Sequence, residues 1–391
     1  MNNITDQILT RGVSDIVIKK DLEEKLKSGK KLRIKFGIDP TGFDLTLGHA
    51  VVLKKLADFQ KLGHQICFLF GNFTAKIGDP TGKDKTRKVL TDQDIEKNSE
   101  RYLEQAGLIL DIDKCEIFHN HDWLSKLNFE EILEIAGNFT VSKMLDRDMF
   151  QKRIADGREI NLVEFFYPLM QGYDSIPMNT DLELGGNDQY FNMLAARPIQ
   201  KHFNKQQQNI LTTKILIGTD GKEKMSKSLG NYIALNDKPN EIFGKIMSIP
   251  DEAMIEYFEC LTNINLDEVK KAIKEDPRNI KIKLAKEIII WIYTEDDSIK
   301  AEKDFLQKFV KKEIPDEISE FLIKEDEIGI LDLISKICKF TSSNGEARRL
   351  IKGEAVSIDG EKIKDPNLTI KVNKEFILKV GKRNFGKINK A

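Results

Sequence analysis

Cysteine is scarce in this chain of 391 residues: Cys67, Cys115, Cys260 and Cys338 stand far apart, with no C-x-x-C pair and no histidine cluster beside them. That spacing signals neither a zinc site nor a disulfide framework, and it fits a reducing cytoplasm. Long apolar runs are missing as well. The longest, Ile288 to Tyr293, falls far short of the ~20 residues that cross a bilayer. The opening residues MNNITDQILT lack a charged start followed by an apolar stretch, so no export signal is expected and the chain reads as soluble, without a membrane partner. Internal repeats and low-complexity tracts are absent. So is any excess of one charge: 62 Lys+Arg stand against 63 Asp+Glu, a net charge of -1, which by itself names no partner.

The distribution of that charge is informative. Residues 333–391 hold 14 Lys/Arg and 6 Asp/Glu, so a basic tail follows a net acidic body. The length suffices for two or three domains with their own cores, at ~100–200 residues each. Leu32 to Ile38 alternates basic and apolar residues as a strand does, and Asp39-Pro40-Thr41-Gly42 supplies a turn. His49 to Leu62 reads as an amphipathic helix closed by Gly63, and QICFLFG as a short buried strand. This βαβ order predicts a parallel, doubly wound sheet. Residues 94–150 read as helical with polar loops, and Asn161 to Tyr173 as an apolar helix interrupted by Pro168. A turn-plus-helix follows at Gly185-Gly186-Asn187. From about Glu241 to Phe321 the pattern is helical throughout. In the tail, Ser343-Asn344-Gly345-Glu346 looks like a capping box opening the helix EARRLIK, and AVSI and EKI flank Asp359-Gly360 as a hairpin.

Three patterns carry chemistry. Gly37-Ile38-Asp39-Pro40-Thr41 with Leu45-Thr46-Leu47-Gly48-His49 lies at a strand end and a helix mouth, where backbone N–H groups and the helix dipole favour an anion and Gly48 permits close approach. Lys224-Met225-Ser226-Lys227-Ser228 puts two ammonium groups on a loop flanked by Gly221 and Gly230, which suits a polyphosphate. Alone, each is an ordinary turn. Tyr167, Gln171 and Asp174, at i, i+4 and i+7, share one helix face among Phe165, Phe166, Leu169 and Met170, so they form a polar wall in a buried segment whose groups need partners. GDPTGK at Gly78–Lys83 is one residue too short for a Walker phosphate loop, and Asp84 takes the Ser/Thr place, so that reading is rejected.

The first two patterns together resemble the HIGH and KMSKS signatures of class I aminoacyl-tRNA synthetases. The segments KFGIDPT, GNFTAKIGDPTGK, YPLMQGYDS, ELGGNDQ and KMSKSLGNY resemble the bacterial tyrosyl-tRNA synthetases, over essentially residues 33–391. The resemblance implies a Rossmann-like catalytic domain at 1–235, an all-α anticodon-side domain at 236–325 and a small α+β S4 RNA-binding domain at 326–391, in a cytoplasmic homodimer. It implies activation of L-tyrosine with ATP and Mg²⁺, then transfer to tRNA(Tyr). By that resemblance Asp79, Tyr167 and Gln171 bind the α-amino group, Asp174 accepts the phenol and Gln189 lines the pocket. Asp188 bonds the ATP ribose, Lys83 and Arg87 help hold pyrophosphate, and Gly48, Thr41, His49, Lys224 and Lys227 serve ATP and the transition state. Arg348, Arg349 and Lys352 on the tail helix would meet tRNA phosphates. Two positions depart from the family: Thr46 stands for the first histidine of HIGH, and Lys35 for a second phenol ligand. A tryptophanyl-type synthetase and a catalytically inactive RNA-binding paralogue are the alternatives, disfavoured respectively by YPLMQGYD with the S4-like tail and by the intact KMSKS and GGNDQ.

Overall fold

The computed structural model describes residues 3–81, 90–313, 318–381 and 384–390. By packing the chain falls into two compact units, Met1–Ile299 and Lys300–Ala391.

Among the described residues the first unit is built on six strands: β1 (Val13–Val17), β2 (Arg33–Ile38), β3 (Gln65–Phe70), β4 (Glu116–His119), β5 (Leu182–Gly186) and β6 (Asn209–Thr213). Their spatial order is β1-β6-β5-β2-β3-β4. All neighbours are parallel except β1, an antiparallel edge strand on β6. β3 reads ICFLF without polar alternation because both its faces are covered. Phe68 packs edge-on against Phe36 of β2, with ring centroids 5.2 Å apart. The helix Leu47–Lys61 buries Ala50, Val51, Leu53, Leu56 and Phe59, which returns the chain from β2 to β3. From β2 the strands grow outward to β4, and the chain then comes back to β5 on the other side. A cleft at the carboxyl ends of β2 and β5 follows from that reversal.

Three strands of this sheet were not legible in the pattern: β1, VSDIV, lies in an opening stretch that reads as polar and helical. β4, EIFH, lies inside the stretch expected to be helical, and β5, LELGG, occupies what reads as a turn. Both are short enough for a neighbouring polar loop to mask their period.

Helices Pro239–Ser248, Met254–Leu261, Leu266–Glu275 and Pro277–Ile292 follow. Met254–Leu261 packs on the helix Leu47–Lys61, and Arg11 donates to the carbonyls of Phe258 and Glu259. This helical region is therefore continuous in packing with the sheet unit. Among the described residues no helix is long and apolar enough to cross a membrane.

The helical pattern expected up to Phe321 ends earlier, since β7 (Ser319–Ile323) is a strand of the second unit. The remaining strands there are β8 (Glu327–Gly329), β9 (Val356–Ile358), β10 (Glu361–Lys362), β11 (Thr369–Lys371), β12 (Phe376–Val380) and β13 (Asn384–Lys390). They form a sheet of order β10-β9-β12-β13-β7 and a β11-β8 pair. β7 is drawn in by parallel pairing with β13, so a boundary at 325 falls between two strands of one unit. Ser343 caps the helix Asn344–Lys352 by accepting from the Glu346 N–H at 3.2 Å. Asp359 (φ 49) and Gly360 (φ 89) make the left-handed turn that joins β9 to β10.

Candidate functional site

The ends of β2, β3, β4 and β5 open onto a cleft of ≈ 720 Å³. Thr41, Gly48 and His49 line it together with Lys224 and Lys227. A short ladder brings these distant segments together: the Leu47 N–H donates to Ile233 O at 2.9 Å and the Leu235 N–H to Leu45 O at 2.8 Å, around a bridge between Thr46 and Ala234.

Thr46 precedes the helix Leu47–Lys61 as its N-cap, with His49 in the place a capping box gives to Glu or Gln. The Thr46 N–H donates to His49 Nδ1 at 3.1 Å, and the Thr46 hydroxyl lies 2.9 Å from the same nitrogen. Nδ1 is thereby an acceptor, and the ring proton resides on Nε2. Burial, then Lys227 and Lys224, push His49 down to about 4, so the ring is neutral near pH 7 and offers an N–H rather than a charge.

Lys227 Nζ donates to Asp44 O at 2.8 Å and to Tyr102 Oη at 3.0 Å, and it stands 5.4 Å from the Tyr102 ring centre. Lys224 Nζ pairs with Asp188 Oδ2 at 3.0 Å. Asn231 holds their loop: its Oδ1 accepts from the Ser226 N–H at 2.8 Å and its Nδ2 donates to Asp220 at 2.9 Å. Two cations and a neutral donor thus share one cleft, which is the chemistry a polyphosphate needs.

Deeper in, Asp174 is 2% exposed. Its Oδ1 accepts from Trp123 Nε1 at 2.8 Å and its Oδ2 from Asn120 Nδ2 at 3.4 Å. Burial pushes this carboxyl up to about 7, against the pull of Lys35, Trp123 and Asn120. Tyr167 Oη donates to Asp39 Oδ2 at 2.8 Å. Burial, with Asp39, Asp79 and Asp174 nearby, holds the Tyr167 phenol well above its usual range. Asp39 Oδ1 accepts from Thr74 Oγ1 at 2.7 Å. A Cβ on Gly71 would lie 2.0 Å from that oxygen, which is why the residue after β3 is a glycine. Gln171 shares this wall.

Asp79 is held by Gln189 Nε2 at 2.8 Å and by the Thr81 N–H at 2.9 Å. Arg147, between the rings of Phe150 and Phe191, donates to Thr81 Oγ1 at 2.9 Å. The cleft therefore unites Thr41, Gly48, His49, Asp79, Tyr167, Gln171, Asp174, Asp188, Gln189, Lys224 and Lys227. Lys83 and Arg87 lie outside the described residues. Arg348, Arg349 and Lys352 belong to the second unit, exposed on the helix Asn344–Lys352.

Sequence reasoning did not single out Asn120, Trp123, Tyr102 or Glu183. Asn120 and Trp123 follow β4, so recognising EIFH as a parallel strand would have flagged the residues at its carboxyl end. Tyr102 and Glu183 carry no comparable signal, because one sits mid-helix and the other mid-strand.

Residues 27–311 match the family model described as tRNA synthetases class I (W and Y), and residues 309–388 match the Tyrosine–tRNA ligase SYY-like C-terminal domain. The chain is 44% identical to a tyrosine–tRNA ligase of Moorella thermoacetica, covering 98% of this chain and 95% of that one. It is 45% identical to a tyrosine–tRNA ligase of Thermotoga maritima, covering 98% and 96%. Among solved structures, it resembles a C-terminally truncated mitochondrial tyrosyl-tRNA synthetase of Aspergillus nidulans, with TM-score 0.64, 24% identity and coverage of 79% and 95%. A tyrosyl-tRNA synthetase of Archaeoglobus fulgidus complexed with L-tyrosine gives TM-score 0.61 at 22% identity, with coverage of 76% and 99%.

Proposed function

The chain belongs to the tyrosine–tRNA ligases among the class I tRNA synthetases, and we propose that this cleft activates L-tyrosine with ATP and hands the tyrosyl group to tRNA(Tyr). The observation that carries the reading is the joining, in one cleft, of a cationic mouth and a carboxylate-floored pocket.

In the first step an oxygen of the tyrosine carboxylate attacks the α-phosphorus, the bond to the bridging oxygen breaks, and pyrophosphate leaves with that electron pair. The substrate is already a nucleophile, so the protein aligns and stabilises charge. Lys227 exchanges Tyr102 and Asp44 for phosphate oxygens, and Lys224 shares itself between Asp188 and the leaving group. His49 donates from Nε2. Thr46, engaged with His49 Nδ1, serves by orienting that ring, which explains why a threonine suffices where the signature has a histidine. Asp188 bonds the ribose, and Gly48 leaves room for the nucleotide. Asp79, Tyr167 and Gln171 hold the α-ammonium group, Gln189 fixes Asp79, and Thr41 faces the phosphates. Lys83 and Arg87 are assigned to pyrophosphate on the sequence alone. Mg²⁺ belongs to the ATP phosphates in this reading.

Amino-acid-dependent ATP–pyrophosphate exchange tests the assignment. Tyrosine should support exchange while tryptophan and phenylalanine do not; exchange driven by tryptophan instead would replace this reading with the tryptophanyl one.

Arg348, Arg349 and Lys352 are proposed to meet the tRNA backbone, beside a groove lined by Lys336 and Lys339, and the helices after residue 236 to lie on the anticodon side. Replacing the three by alanine should raise KM for tRNA about tenfold, more steeply as salt rises, and leave exchange unchanged. Loss of exchange in that variant would point to a folding role.

A homodimer is proposed from the family resemblance, with Phe129, Val141 and Leu162, 70–74% exposed, as residues that a second copy would cover. Leu162→Asp should shift the sedimentation coefficient to that of a single chain. A wild-type protein that already sediments as one chain would remove the proposal.

A further inference from the structure

A lysine buried without any exposure sits beneath the pocket. Lys35 of β2 is 0% exposed and pairs with Glu183 of β5, 2% exposed, at 3.1 Å. Its other two donors reach Gln171 O at 2.7 Å and Ser175 Oγ at 3.0 Å. Glu183 also accepts from Gln171 Nε2 at 3.4 Å and from Gln208 Nε2. All three ammonium hydrogens are thus spent on the protein. Lys35 is tied to residues on both sides of Asp174, and Asp174 itself caps the helix Val163–Tyr173.

Buried ion pairs are poor stabilisers, because desolvation offsets their attraction and an apolar pair of equal volume often serves as well. This one therefore asks for a reason tied to its place. Gln171 O is among the last carbonyls of its helix, which have no partner within it; Lys35 supplies one, and Ser175 Oγ is the second arm of the same clamp. The turn that carries Asp174 is fixed from below.

We propose that Lys35 is a positioning residue for tyrosine specificity: it clamps the end of the helix Val163–Tyr173 so that the Asp174 carboxylate faces the phenol, and it supplies the positive charge that keeps this carboxylate an acceptor. The inference rests on Asp174 being the phenol acceptor. Among the groups around Asp174, Lys35 from β2 opposes protonation most strongly, Glu183 from β5 favours it, and Trp123 and Asn120 donate neutral N–H bonds; Tyr167, on the same helix, stays a neutral phenol.

The test uses the full chain and three variants: Lys35→Met/Glu183→Leu, which leaves no lone buried charge, the milder Ser175→Ala, which removes one arm of the clamp, and Asp174→Asn. Exchange is followed between about pH 6 and 9 with tyrosine, phenylalanine and ATP varied in turn. The double variant should raise KM for tyrosine about tenfold and lower the preference over phenylalanine, with KM for ATP within about twofold. Its acid limb in kcat/KM for tyrosine should move to higher pH. Ser175→Ala should shift KM for tyrosine the same way by about threefold, which keeps the test decisive if the double variant does not fold. An unmoved KM for tyrosine and an unmoved acid limb, or tyrosine and ATP parameters falling together, would overturn the proposal while Asp174→Asn still destroyed discrimination. If Asp174→Asn itself left discrimination intact, the acceptor assignment would fail, and this inference with it.

Discussion

Lys227→Ala should lower the rate of tyrosyl-adenylate formation by on the order of a hundred- to a thousandfold, the usual loss when one preorganised transition-state donor is removed, and leave KM for tyrosine nearly unchanged. The expectation comes from where Nζ is. It sits in the cleft mouth on Asp44 O and Tyr102 Oη, at 2.8 and 3.0 Å, far along the chain from the helix Val163–Tyr173 that lines the amino-acid side. The Asp44 carbonyl and the Tyr102 phenol are neutral acceptors. A phosphate oxygen bearing charge outcompetes them, most of all when charge builds on the leaving pyrophosphate, so the side chain contributes more to the transition state than to either ground state. Lys224 pairs with the anionic Asp188, so part of its charge is already spent. Single-turnover adenylate formation with saturating tyrosine gives the number directly. Unchanged pyrophosphate exchange in Lys227→Ala would remove the assignment.

How far the sequence revealed this site follows from how each part is encoded. The helix mouth, the lysine pair and the Tyr167–Gln171–Asp174 face are local patterns, set by periods of 3.6 residues or by adjacent loop residues, so they stand out in a single chain. Thr46 could be flagged only as a departure. Its tie to His49 depends on capping geometry three residues away, visible once the N-cap is placed at 46 rather than 48. Lys35 was harder still, because the alternation of β2 says that residue 35 points to one face and nothing about Glu183, nearly 150 positions on, which β5 sets beside it in the sheet. Asn120 and Trp123 lay hidden behind a four-residue strand. The lost information is non-local pairing: two short parallel strands, β4 and β5, each too brief for its own period, position Asn120, Trp123 and Glu183 near Asp174.

Asp174→Asn should cut kcat/KM for tyrosine by about a hundredfold or more, leave phenylalanine little affected, and so collapse the discrimination between them. A neutral amide accepts a weaker bond than a carboxylate, and its N–H₂ competes with the phenol proton for donors' positions, so the hydroxyl enters the pocket imperfectly paired; hydrogen bonds to charged groups are worth about 1.5–3 kcal/mol, and an unpaired buried group adds its desolvation cost. Tyrosine-selective synthetases are themselves the standing instance of this rule for rejecting an analogue that lacks a hydroxyl. Stability should move the opposite way. Burial raises the Asp174 carboxyl from 3.8 to about 7, so folding favours its protonated form. The native state is then helped below the unfolded value and loses that help as pH climbs from about 4 towards 7. An asparagine carries no such dependence. The variant should therefore melt higher than the parent near pH 7, and the two melting temperatures should converge as pH falls towards 4. The same titration predicts that KM of the parent for tyrosine rises as pH drops below about 7, a limb the asparagine variant should lack. Thermal melts and exchange kinetics over one pH series read both effects, and a variant that melts no higher at pH 7 while keeping that limb would mean that Asp174 neither bears the burial cost nor receives the phenol.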